Sequence, residues 1–290
     1  MNAATIPLAR ELRTLSPEVT PATITATTAL IAPLHAGRGA TDERITRDLR
    51  YGPAARHRLD VFEPGKRGSA PLPVLVFVHG GGFVMGDKTA PGSPMYDNVG
   101  LWAVRNGFIG VNMTYRLAPE AQWPAGSDDV SAAVGWVREN IGAHGGDPTK
   151  IYVMGQSAGA VHVAGYVARL RGAPPAGALL ISGLYDTDTM SRDERFRAYF
   201  GDDEAKLEHT SFLRELAGTN VPLLVAVAEL DPYDFQNQFV TLLEARVRRR
   251  LPPPRFVQLE GHNHFTTVWC LNTSADTLGP EIRKFVFEPR

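Results

Sequence analysis

IYVMGQSAGAVHVAGYVARL, residues 151–170, reads as a strand that turns at once into a helix. The apolar run from Ile151 ends at Gly155, and the small and apolar residues from Ala158 onward suit a helix laid against a sheet. Between them stands GQSAG, residues 155–159, the pattern G-x-S-x-G with Ser157 at its centre. A serine here occupies a sharp, strained turn, and the residues two positions either side must be small for the helix to fold back onto its strand. Such a turn also aims backbone N–H groups and the positive end of the helix dipole at any anion forming beside the serine. A five-residue pattern arises by chance, and a glycine turn with a capping serine is its plain structural reading. Its meaning therefore rests on the rest of the chain.

Short apolar runs alternate with helical patterns on both sides. RITRDLRY and HRLDVFEP read as two strands joined near Gly52–Pro53. PVLVFVHGG is a continuous apolar strand ending in glycines, and FIGVNMTYR is the next. ALLISGLYD, VPLLVAVAELD and RFVQLEGHNH follow downstream. PGSPMYDNVGLWAVRNG, SDDVSAAVGWVREN, DFQNQFVTLLEARVRR and the tail from Asp276 to Phe287 read as helices. Buried strands alternating with helices predict an α/β fold: a mostly parallel central sheet of about eight strands, flanked by helices on both faces. The two early strands form an antiparallel edge. Residues 1–43, with the helical stretch ITATTALIAPL, precede the sheet and form an N-terminal cap segment. The main domain spans 44–290. Residues 187–219 are polar and strandless, which suits a small inserted helical cap.

Composition removes several function classes. The chain has 290 residues, 43% hydrophobic and 21% charged, with a formal net charge of −1. That balance gives no field for a polyanion, so nucleic acid is not an expected partner. The basic run at Arg246–Arg250 closes an apparent helix, where it complements the helix dipole. The single cysteine, Cys270, excludes an intramolecular disulfide and a cysteine-based zinc site. No apolar run approaches the roughly 20 residues that span a bilayer, and the N-terminus lacks a secretory pattern. A cytoplasmic protein without membrane insertion is expected, and a homodimer is compatible with the sequence.

The chemistry-bearing residues fall at strand ends. HGGGF, residues 79–83, directly follows an apolar strand, and its glycines let the backbone approach a ligand. Gly81 and Gly82, with the N–H of Ala158 after the serine, can form an oxyanion hole. A phosphate cradle is the weaker reading, because the phosphate-loop patterns are absent. Asp231 ends the strand VPLLVAVAEL, on the same sheet edge as Ser157. Glu229 still lies within that strand, and Asp234 suits the start of the next helix. The last strand ends in HNHF, which offers His262 and His264. His162 follows Ser157 within a helix and suits core packing.

With these motifs in order, the chain resembles the α/β-hydrolase superfamily, and within it the hormone-sensitive-lipase-like carboxylesterases. The resemblance covers about residues 44–288. It is carried by HGGGF (79–83), YRLAPE (115–120), WPAGSDD (123–129), GGDP (145–148), GQSAGA (155–160) and AELDP (228–232). Three details depart from that family: Gln156 stands where an acid is usual, Ala160 where glycine is usual, and Phe265 follows His264 at once where the family has G-x-x-H-G-F. SAGA and HNHF are closer to arylformamidases and feruloyl-esterase-like enzymes, in which the histidine before Phe is catalytic; this favours His264. Arg116 and Asp129 are expected to pair within the scaffold.

The resemblance implies a serine esterase with a Ser157–His264–Asp231 triad and no metal or cofactor. Its partner would be a small-molecule ester with a short acyl chain or a small aromatic group. Activity would fall on acidification as a histidine base takes up its proton. Phe83, Met85, Tyr185, Phe235 and Trp269 flank the motifs and could line an apolar pocket, or simply pack the core. Two alternatives stay open: an arylformamidase-type amide hydrolase using the same triad, and a non-catalytic ligand-binding protein on this fold.

Overall fold

The computed structural model describes residues 5–203, 207 and 210–288. Residues 1–4 of the expected N-terminal segment, and 204–206 with 208–209 of the expected cap insertion, lie outside these.

Two helices open the chain, α1 (Thr5–Leu12) and α2 (Pro21–Ile31). The strands β1 (Arg44–Arg50), β2 (Arg58–Glu63) and β3 (Leu72–Val78) follow, then α3 (Asp97–Arg105), β4 (Ile109–Met113) and α4 (Ala125–Asn140). Next come β5 (Gly146–Gln156), α5 (Ala158–Ala168) and β6 (Gly177–Ile181). The short helices α6 (Glu194–Phe200) and α7 (Leu213–Gly218) lie between β6 and β7 (Leu223–Leu230). The chain finishes with α8 (Tyr233–Arg248), β8 (Arg255–Asn263), α9 (Thr266–Trp269) and α10 (Leu278–Phe287).

All eight strands join one sheet in the order β1-β2-β4-β3-β5-β6-β7-β8. β2 pairs antiparallel with both β1 and β4, and every other pairing is parallel. Only β2 therefore runs against the rest. The central strands carry side chains alternately to two cores, as the period of a strand requires. Val74, Val76 and Val78 of β3 enter one core with Val130, Val134 and Val161 of α4 and α5. Leu75 and Phe77 enter the other with Trp102 of α3 and Leu278 and Ile282 of α10. Burial on both faces explains why β6 reads as an unbroken apolar run and why β4 is buried throughout. The edge strand β1 keeps a mostly polar, exposed face.

The helix expected over PGSPMYDNVGLWAVRNG is shorter than its pattern, and begins only at Asp97. Pro91 and Pro94 cannot donate the backbone N–H groups a helix needs. Upstream of the sheet, α1 and α2 pack their buried faces against the β8 end of the second core, through Leu8, Leu12 and Ile31.

Candidate active site

Strand β5 ends at Gln156 and α5 begins at Ala158, so Ser157 alone makes the turn. Its backbone sits at φ 56°, ψ −125°, a region that non-glycine residues rarely occupy. The two flanking glycines are required by contact. A Cβ on Gly159 would lie 2.1 Å from the Val78 carbonyl oxygen, and one on Gly155 would lie 2.3 Å from the Gly159 carbonyl oxygen. Both obstacles are backbone atoms, which cannot rotate away. Ala160 has an equally local explanation. A Cβ on Gly183 would come within 2.8 Å of the Ala160 methyl, so this methyl occupies room that Gly183 leaves.

Asp231 follows β7 and His264 follows β8 at the same sheet edge as Ser157. His264 Nδ1 lies 2.7 Å from Asp231 Oδ1, with both side chains buried. The second carboxylate oxygen accepts from Ser182 Oγ at 2.6 Å and from the Ala228 N–H at 2.6 Å. These three bonds hold the carboxylate in one orientation. His264 Nε2 is buried and has no hydrogen-bond partner among the described residues. The structure thus joins Asp231 to His264, while no bond from Ser157 reaches the imidazole. Catalytic bonds are commonly loose before substrate arrives.

The competing groups are engaged elsewhere. Both ring nitrogens of His262 are used, by Thr266 Oγ1 at 3.1 Å and Thr277 Oγ1 at 2.7 Å. Burial lowers its pKa to about 4. Glu229 accepts two bonds from Arg13 Nη2, at 2.9 and 3.0 Å, and the Gly261 N–H at 2.7 Å. Asp234 accepts from Ser191 within the first turn of α8. His162 is fully buried, its pKa lowered to about 3 by desolvation, with Nδ1 3.2 Å from the Tyr199 hydroxyl.

The glycine loop lies against the serine. A Cβ on Gly80 would be 3.1 Å from Ser157 Cβ and 2.6 Å from Gln156 Oε1. Gly81 and Gly82 take φ of +134° and +57°, which glycine adopts without strain. A Cβ on Gly81 would also meet the Met85 carbonyl oxygen at 2.0 Å. Ala158 opens α5, where helix N–H groups have no partner in the preceding turn. His79 holds this loop: Nδ1 bonds the Gly80 carbonyl at 2.6 Å, and the ring stacks on Tyr115 at 4.4 Å. The Tyr115 hydroxyl donates to the His79 carbonyl at 3.0 Å. Burial lowers the His79 pKa to about 4 and keeps it neutral. Behind the loop, Asp129 accepts from the Arg116 guanidinium at 2.6 Å and from His57 at 3.1 Å.

The five pocket candidates separate. Phe235 packs on the His264 ring with centroids 4.4 Å apart. Phe83 is buried and stacks on Tyr199. Tyr185 lies in the core and Trp269 stacks on Phe265. Met85 is exposed at 59%. Two surface clefts, one at Pro64–Leu72 and His144, the other at Ser127, Tyr166 and Arg169, touch none of the triad candidates.

Three contributors escape a sequence reading. Ser182 stands just past β6, so the strand-end rule that picks Asp231 could have found it. Gln156 donates through Nε2 to the His264 carbonyl at 3.0 Å, tying the serine turn to the histidine loop. An ionised acid at 156 could not donate this bond. Asn263 Nδ2 donates to Thr27 Oγ1 of α2 at 2.9 Å, a contact between residues 236 apart in sequence.

Similar proteins agree with this architecture. A family with the alpha/beta hydrolase fold matches residues 75–264. Esterase LipQ of Mycobacterium tuberculosis is 39% identical over 129 residues, covering 42% of this chain and 28% of that protein. Carboxylesterase NlhH of the same species is 46% identical over 123 residues, 41% of this chain and 36% of its own. These matches thus span about a third of the curated relatives' length. Esterase B from Lactobacillus rhamnosis superposes with a TM-score of 0.76 over 98% of this chain and 96% of its own, at 17% identity. The chain belongs to the α/β-hydrolase fold family and resembles its hormone-sensitive-lipase-like carboxylesterase branch.

Proposed function

We propose that this protein is a serine carboxylesterase acting on short-chain or small aromatic esters. One observation carries the reading. His264 is bonded through Nδ1 to a carboxylate held by two other donors, while its Nε2 stays buried and unpartnered among the described residues. That arrangement suits a base awaiting a proton donor, and Ser157 stands in a strained turn at the same sheet edge.

In this mechanism His264 Nε2 takes the Ser157 proton as Oγ attacks the ester carbonyl. Asp231 keeps the proton on Nδ1 and stabilises the imidazolium that forms. The tetrahedral oxyanion accepts N–H bonds from Gly81, Gly82 and Ala158. His264 then gives its proton to the leaving alkoxide, releasing the alcohol and an acyl-enzyme. Water enters, His264 removes its proton, and a second collapse releases the acid and Ser157. The buried His264 and Asp231, with Phe235 against the imidazole, favour small acyl groups.

A panel of p-nitrophenyl esters from acetate to laurate, run beside Ser157→Ala and with N-formylkynurenine as the amide arm, tests the reading. Short esters should turn over and the variant should lose that turnover. Equal hydrolysis by both proteins would remove Ser157 from the chemistry, and best turnover of laurate would refute the small-acyl preference. Faster cleavage of the amide would transfer the triad to amide hydrolysis.

A further inference from the structure

Helix α6 carries a cation onto the glycine loop. Arg195 and Tyr199 are four residues apart on this helix and so share one face. Tyr199 lies flat on Phe83, with centroids 4.5 Å apart and planes 4° from parallel, and its carbonyl accepts the Trp123 N–H at 2.8 Å. That face is therefore anchored over residues 79–83. On it, the Arg195 side chain crosses Gly82. A Cβ on Gly82 would lie 2.6 Å from Arg195 Cδ, 3.5 Å from Nη1 and 3.6 Å from Nε. The bare glycine admits the arginine as well as freeing the backbone.

Arg195 is half-buried, and its guanidinium is underused. Its hydrogen bond among the described residues runs from Nη2 to the Val19 carbonyl, at 3.4 Å. No carboxylate among them pairs with it: Asp193, two residues earlier, accepts the Phe196 N–H at the start of α6, and Glu194 is exposed. A guanidinium offers five N–H donors in a planar fork that matches a carboxylate. Here that fork stands beside the glycines assigned to the oxyanion.

We infer that Arg195 binds a carboxylate on the substrate, close to the scissile carbonyl, so that the preferred esters are monoanionic, such as half-esters of small dicarboxylic acids. This rests on the esterase reading above. It adds a charge requirement to that reading's size limit.

Monomethyl and dimethyl glutarate share one skeleton and differ in charge, and pH-stat titration follows both. The kcat/KM ratio of monoester to diester should fall about tenfold in Arg195→Gln, and by less in Arg195→Lys. Free glutarate should inhibit the wild type competitively, and salt should weaken that inhibition. A ratio unchanged in a natively melting Arg195→Gln, or no inhibition by glutarate at low salt, would overturn the inference. Calorimetric binding of monomethyl glutarate to Ser157→Ala, with and without Arg195→Gln, separates the two readings. Ester hydrolysis that depends on Ser157 but is indifferent to position 195 defeats this inference alone. Binding that depends on Arg195, in a protein that cleaves no ester, defeats the esterase reading alone.

Discussion

Asp231 has its oxygens divided between His264 on one side and Ser182 with the Ala228 N–H on the other. Asp231→Asn keeps the size but puts an amide where three donors converge. The imidazole then loses the acceptor that sets its tautomer, and kcat should fall about 10³- to 10⁴-fold with the fold retained. A loss under tenfold in steady-state assays would show that another acid serves His264. Gln156→Glu tests the neighbouring link. It replaces a buried donor by an acceptor facing the His264 carbonyl, and should destabilise by about 1–3 kcal/mol in urea titration. Gly159→Ala should do more harm, beyond about 3 kcal/mol, because the added methyl meets the Val78 carbonyl oxygen. Ser157 and Gly159 are legible in the sequence because a strained turn leaves a short, fixed pattern. The bond from Gln156 to the His264 carbonyl is not, since a single polar residue bonding across to a distant loop leaves no local pattern.

The elements that frame the site are held by contacts far apart in sequence. Arg13, directly after α1, reaches the β7 and β8 ends through Glu229, which also accepts the Gly261 N–H, and α2 reaches the histidine loop through Thr27 and Asn263. Gly261 leads into the segment that carries His264. The Gly261 N–H and the Arg13 guanidinium both hold the Glu229 carboxyl below its usual range. The Arg13–Glu229 pair is partly exposed, so Arg13→Ala should alter global stability by only about 0–1 kcal/mol. Its effect should instead appear in kcat, which should drop while the melting temperature barely moves. Parallel kcat and melting measurements decide this, and an unchanged kcat would reduce α1 to a covering helix. The strands and most helices of this frame are legible because apolar periodicity records burial. The start of α3 is not legible, because the apolar pattern extends upstream across Pro91 and Pro94 while the helix begins only at Asp97.

Across the whole molecule, several imidazoles are buried in neutral form. Desolvation lowers His79 and His262 to about 4 and His162 to about 3, from an ordinary value of 6.5. Each takes up a proton on unfolding between those limits, so stability falls as pH drops through 6.5 toward 4. Burial raises the Asp276 carboxyl to about 6, which works the other way over 6 to 3.8. The net uptake of about two protons should remove on the order of 2 kcal/mol per pH unit between about 6 and 4. Melting curves at pH 7, 6 and 5 should show a steady decline, and a rise toward pH 5 would contradict the buried neutral imidazoles. From its residues alone this protein determines an α/β sheet with Ser157, Asp231 and His264 at strand ends. Strand period, helix period and tight-turn chemistry act over a few neighbouring residues, so they are written locally. The tertiary structure alone decides that His262 is taken up by Thr266 and Thr277, that Glu229 belongs to Arg13, and that Arg195 crosses Gly82. Those contacts depend on which distant segments the open sheet and its flanking helices bring together, since a hydrogen bond reaches only about 3 Å.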